Sequence, residues 1–129
     1  MISPAPRAVV VDDCDDMRGI VRILLTRAGY EVVGEAGDGA VGVHATRLTA
    51  PDVVVLDLEM PVLDGYAALP LLRRAAPDAR LVVFSHDVTY ESAERLRDLG
   101  AHAWVRKGSP LTEVLAVVNS TMLAPAGWW

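Results

Sequence analysis

Val53-Val54-Val55-Leu56-Asp57-Leu58-Glu59-Met60-Pro61-Val62-Leu63-Asp64-Gly65 is the stretch that decides the fold. Its first four residues are apolar, three of them β-branched, and read as a strand buried on both faces, as in a parallel sheet. Asp57 then sits at the carboxyl end of that strand, where open α/β sheets place their ligand sites. Pro61 and Asp64-Gly65 turn the chain away into a helix. A buried strand that delivers one acid to a crevice points to chemistry at that acid.

The same pattern recurs on either side. Upstream, Ala8-Val9-Val10-Val11 is a short buried strand ending in Asp12-Asp13. Asp15 or Asp16 is placed to cap the next helix, whose apolar stripe reads as Ile20, Ile23, Leu24 and Ala28 before Gly29 stops it. Glu31-Val32-Val33-Gly34-Glu35 is less apolar and reads as an edge strand, and Gly37-Asp38-Gly39 turns into a helix through about Leu48. Downstream, a helix follows Gly65 to about Ala75, and Leu81-Val82-Val83-Phe84 forms a fourth strand ending at Ser85. A charged helix runs from about Thr89 to Leu99, with Glu91 and Arg95 one turn apart. Ala103-Trp104-Val105 makes a fifth strand ending at Arg106-Lys107-Gly108, and Pro110 opens a last helix with the stripe Leu111, Val114, Leu115, Val118 and Met122.

Strands alternating with helices predict a doubly wound parallel sheet, and five such units favour the flavodoxin-like order 2-1-3-4-5. The predicted layout is a leader over residues 1–6, one domain over 7–122 and a tail over 123–129. At 129 residues and 52% hydrophobic, with a mean hydropathy of +0.29, the chain has enough apolar material for one core. A net charge of −5 argues against a nucleic-acid surface. The single cysteine, Cys14, cannot form an internal disulfide and fits a reducing compartment. No apolar run reaches membrane-spanning length and no signal-peptide core opens the chain, so a soluble, cytoplasmic protein without membrane contact is expected. His44 and His102 lack ligand partners at metal spacing and read as surface residues.

The order 2-1-3-4-5 sets the first and third strands side by side, so Asp12 and Asp13 would face Asp57 across one crevice. Ser85 lies 28 residues beyond Asp57, and Lys107 a further 22, each at the carboxyl end of its own strand. Clustered carboxylates repel one another, and an all-oxygen, partly hydrated site suits Mg²⁺. A carboxylate beside Mg²⁺ and a lysine is equipped to attack a phosphoryl group. The cations would offset charge on the transferred oxygens, and Ser85 would donate a hydrogen bond to one of them. These parts predict an aspartyl phosphate.

The pieces Val-Val-Asp-Asp (10–13), Asp-Leu-Glu-Met-Pro-Val-Leu-Asp-Gly (57–65), Phe-Ser (84–85) and Gly-Ala-His-Ala-Trp-Val-Arg-Lys (100–107) resemble, in order and spacing, the CheY-like receiver domains of two-component response regulators. The resemblance covers roughly residues 7–122. It implies that Asp57 accepts a phosphoryl group from a histidine kinase or phosphotransfer protein. It implies Mg²⁺ held by Asp13, Asp57 and the Glu59 backbone carbonyl, with Asp12 helping through water. Lys107 would pair with the phosphoryl group, Ser85 would move toward it, and Trp104 occupies the position of the aromatic switch that turns inward.

Some positions depart from the common pattern. Tryptophan stands at 104 where Tyr or Phe is usual, and reads either as the switch or as a fixed packing or interface residue. Gly108 follows Lys107 where proline is frequent, which predicts a looser segment there. His86 is bulky where a small residue is common. With Glu59 and Asp87, it is expected to tune phosphoryl lifetime. Output would pass through the surface from about Val88 to Met122, with a homodimer there or on the last helix as one form. The chain is either a stand-alone receiver or the receiver part of a longer DNA-binding transcription regulator. A phosphorylation-independent pseudo-receiver is the alternative function. A metabolite-directed enzyme with an aspartyl-phosphate intermediate would usually need a second acid just after the nucleophile and a cap domain.

Overall fold

Runs of β-branched valine favour strands, and the Gly-, Pro- and Asp-marked breaks between them start and stop the helices. The computed structural model describes residues 4–123. Its elements are β1 (Arg7–Val11), α1 (Asp15–Arg27), β2 (Glu31–Ala36), α2 (Gly39–Thr49), β3 (Val53–Leu56), α3 (Gly65–Ala75), β4 (Arg80–Ser85), α4 (Tyr90–Leu99), β5 (Ala103–Arg106) and α5 (Leu111–Leu123). All strands pair in parallel, in the order β2-β1-β3-β4-β5, which is the predicted flavodoxin-like topology. Trp128-Trp129 lie outside the described residues.

Alternation along each strand divides the core into two layers. Val9, Val11, Val54, Leu56, Leu81 and Val83 face one way and pack with Val43 of α2, Leu69 and Leu72 of α3 and Leu96 of α4. Ala8, Val10, Val53, Val55, Val82 and Phe84 face the other and pack with Val21 and Leu25 of α1 and with Val114 and Val118 of α5. Strands buried on both faces are what the unbroken valine runs require.

The local reading of α1 needs correction. Its buried residues are Val21 and Leu25, while Ile20 and Ile23 remain 41% and 45% exposed. An apolar helix has several possible stripes, and packing on the sheet selects the pair one turn apart that points into the layer. Ile20 and Ile23 instead line an open groove with Leu111 and Leu115 of α5. Neither Asp15 nor Asp16 caps this helix. Cys14 holds the N-cap position without a side-chain bond, and both aspartates fall in the first turn, against the positive end of the helix dipole. Asp38 and Asp64 do cap α2 and α3, accepting from the Val41 and Ala67 N–H groups at 2.9 Å each. Exposed Pro70 interrupts the backbone ladder inside α3 without ending it.

His102 also departs from expectation. It is half-buried, and its Nδ1 accepts the Leu81 N–H at 2.8 Å. Burial, aided by the charges of Arg73 and Arg80, lowers its pKa to about 4. His44 is exposed, as expected.

Candidate functional site

Strand register brings the acids together. Val11 lies opposite Leu56, so Asp12 and Asp57 leave the sheet at the same level. The Asp57 N–H donates to the Val11 carbonyl at 2.9 Å and the Asp12 N–H to the Ala36 carbonyl at 3.0 Å, fixing both backbones. One carboxylate oxygen from each of Asp12, Asp13 and Asp57 falls within 4.8 Å of the others. Asp12 and Asp57 are buried and Asp13 is exposed, so the cluster opens to water on one side.

Lys107 reaches this cluster from the far edge of the sheet. Its Nζ lies 2.9 Å from Asp12 Oδ2 and 3.2 Å from Asp57 Oδ2, with all three side chains nearly inaccessible. Burial alone would make the ammonium easier to deprotonate, but its hydrogen bond to Asp12 and the two carboxylate charges outweigh that and raise its pKa. For Asp12, burial dominates and pushes the carboxyl above its ordinary range, against the pull of Lys107 and of the Cys14 N–H on its Oδ1. Three carboxylates against one ammonium leave the site short of positive charge. Removing Lys107 would strand buried carboxylates, which is far costlier than losing an exposed pair.

Ser85 is fully buried, and its Oγ has no hydrogen-bond partner among the described residues. A buried hydroxyl left unpaired carries a desolvation cost, so it is a donor in want of an acceptor. Its carbonyl takes the Lys107 N–H at 2.9 Å, which ties β4 to the lysine. Glu59 is exposed, with its N–H 3.4 Å from Asp57 Oδ1. His86 and Asp87 are exposed at the start of the loop that leads into α4. Trp104 is half-buried against the first core layer and lines a cavity of about 360 Å³ with Val88, Tyr90 and Arg106. The Arg97 guanidinium lies 5.9 Å from its ring centroid. The segment after Lys107 is a defined turn: Gly108 has φ 98°, and the Ser109 N–H closes on the Arg106 carbonyl at 3.2 Å. Only glycine adopts that φ without strain.

Two further residues shape the site without having been legible as its parts, and a third is strained beside it. Arg18 of α1 donates to the Asp12 carbonyl at 2.7 Å and pairs with Asp15 at 2.7 Å, bracing the acidic loop. The Asp15/Arg18 spacing of three was its only signal. Gly65 packs so closely under Asp57 that an added Cβ would meet the Asp57 carbonyl oxygen at 2.4 Å. Val62, in the loop between β3 and α3, is held at φ 68°.

A five-stranded doubly wound sheet with an acid cluster and a lysine at its carboxyl ends defines a phosphoryl-receiver class of domain. The sequence model described as the response regulator receiver domain matches residues 8–119, and the chain belongs to that family. It is 31% identical over 118 residues to the chemotaxis protein CheY of Bacillus subtilis, covering 92% of this chain and 98% of that protein. It is 34% identical over 115 residues to the transcriptional regulatory protein PdtaR of Mycobacterium tuberculosis, covering 88% of this chain and 55% of PdtaR. The chain thus spans about half the length, or less, of several curated relatives. The crystal structure of a LuxR-family two-component response regulator from Aurantimonas superposes with a TM-score of 0.86 at 31% identity, covering 92% of this chain and 85% of that one. Among the described residues, no helix is long and apolar enough to cross a membrane.

Proposed function

We propose that Asp57 accepts a phosphoryl group from a phosphohistidine of a histidine kinase or phosphotransfer protein, and that this switches partner binding. The observation that carries the reading is the convergence of Asp12, Asp13 and Lys107 on the Asp57 carboxylate at the carboxyl ends of three strands. An Asp57 oxygen attacks phosphorus and the bond to the donor nitrogen breaks, leaving an acyl phosphate and an imidazole that is neutral once it has taken one proton from solvent. Hydrolysis by water returns the carboxylate and inorganic phosphate. Lys107 holds Asp57 oriented and stays protonated, so its charge faces the incoming oxygens. The Ser85 hydroxyl, paired with nothing among the described residues, donates to one of them.

Asp13, Asp57 and the Glu59 carbonyl would hold Mg²⁺, with Asp12 assisting through water. The cluster fits that ion: all its donors are oxygen, and exposed Asp13 leaves room for the waters Mg²⁺ keeps. When bound, the ion supplies positive charge against that of the phosphoryl oxygens. The domain runs over residues 7–122, and its catalysis is limited to its own phosphorylation and dephosphorylation. Exposed His86 and Asp87, with Glu59, tune phosphoryl lifetime, and Trp104 reads the state out toward a partner on the surface from Val88 to Met122. This is cytoplasmic signalling, direct in a stand-alone receiver and relayed through a DNA-binding part in a longer regulator.

Incubation with Mg²⁺ and acetyl phosphate followed by intact-mass measurement tests this reading. One phosphoryl adduct is expected, lost without Mg²⁺ and in Asp57→Asn. An adduct that survives Asp57→Asn would move the acceptor elsewhere, and no adduct would favour a pseudo-receiver.

A further inference from the structure

One side chain reaches across to the backbone of the loop between β4 and α4. Arg106, the last residue of β5, donates from Nη2 to the Val88 carbonyl at 2.9 Å and from Nε at 3.3 Å. Among the described residues no other side chain hydrogen-bonds residues 86–88. The loop begins at Ser85, which is in register with Arg106 across the β4–β5 ladder. It ends at Thr89, whose reciprocal bonds with Ser92 cap α4. The chain on either side is therefore fixed, and the stretch between is tied by the guanidinium and by the packing of the Val88 side chain.

We propose that Arg106 is a positioning residue that latches this loop in its resting arrangement, so that movement of Ser85 toward a phosphoryl group requires its release. The inference rests on the phosphoacceptor reading above. A charge-assisted, two-pronged bond to a carbonyl is stronger than a neutral one, and arginine's planar fork is built to make it. Val88 is itself 4% exposed and anchored in the first core layer, so the latch acts on a packed residue and not on a loose tip. Arg106 also walls the cavity beside Trp104, so the same release lets the indole turn inward. Glu113 of α5 is the only carboxylate among the described residues lining that cavity, and offers the freed guanidinium another partner.

A latch that stabilises only the resting state lowers affinity for any ligand selective for the switched state. Beryllium fluoride with Mg²⁺ serves as the phosphoryl mimic, titrated calorimetrically into the wild type, Arg106→Ala and Arg106→Lys. Arg106→Ala is expected to bind about tenfold more tightly than wild type, given the worth of one charge-assisted hydrogen bond. Arg106→Lys, with a single-pronged ammonium, should fall between them. Before any ligand is added, amide exchange over residues 88–93 should quicken in the same order while residues 82–84 stay unchanged. Equal affinities, or faster exchange with unaltered affinity, overturn the latch and leave the phosphoacceptor reading standing. A wild type that fails to bind the mimic at Asp57 overturns both. If Arg106→Ala does not fold, the order of Arg106→Lys against wild type decides alone.

Discussion

Val62 sits at φ 68° with 82% of its surface exposed. A β-branched residue in the left-handed region is strained, and with so little of its surface covered this one gains little packing among the described residues to offset the cost. Val62→Gly is expected to raise unfolding free energy by about 1 kcal/mol, since relief of strain exceeds glycine's entropic cost. Urea titration at neutral pH measures it, and a loss of stability would show that the loop needs the valine. His102 makes the second residue-scale case. The unfolded chain takes up a proton near pH 6.5 that the folded chain refuses until about pH 4. Stability should therefore fall as pH drops through that window, by up to about 3 kcal/mol from this group, and be level in it above the window. Denaturant titrations of the wild type and His102→Gln at pH 7 and pH 4.5 isolate the effect, and parallel losses in both would remove His102 as its source. Neither residue announced itself in the sequence. Val62 lies among turn residues whose backbone angles depend on how β3 and α3 are joined. The surroundings of His102 come from Leu81, Arg73 and Arg80, all at least twenty residues away.

Between β3 and α3, Gly65 lets the chain fold back under Asp57, its N–H donating to the Leu58 carbonyl at 2.8 Å. An added methyl would meet backbone on two sides, the Asp57 oxygen at 2.4 Å and the Leu58 Cα at 2.7 Å, so neither neighbour yields cheaply. Gly65→Ala is expected to cost about 2 kcal/mol by overpacking and, by shifting Asp57, to slow labelling by acetyl phosphate. Unchanged labelling with lowered stability would separate the turn from the acid's placement. Elements of this kind were legible to different degrees. Strands buried on both faces need continuous apolar runs, so Val9 to Val11, Val53 to Leu56 and Leu81 to Phe84 could be read directly. The inward face of α1 could not, because Ile20, Ile23 and Leu24 make as good an apolar stripe as Val21 and Leu25 until a sheet chooses between them.

On the scale of the whole molecule, the acid cluster was legible because one topological rule converts strand order into proximity. Asp12, Asp13, Asp57 and Lys107 meet because parallel strands end on one side and β1 lies beside β3. What strand order does not convey is how side chains bind across that rim. The grip of Arg106 on Val88 and of Arg18 on the Asp12 carbonyl depends on rotamers that no spacing encodes. The same rim carries an asymmetry. The carboxylates hang from β1 and β3, each flanked by strands on both sides, whereas Lys107 follows β5, which pairs only with β4. Local opening of β5 would withdraw the ammonium while the acids stay in place. A molecule opened in this way is expected to bind divalent cations more tightly and to accept a phosphoryl group less readily. Labelling of Asp57 is thereby tied to an outer strand, and is expected to fail at a lower denaturant concentration than the fold itself.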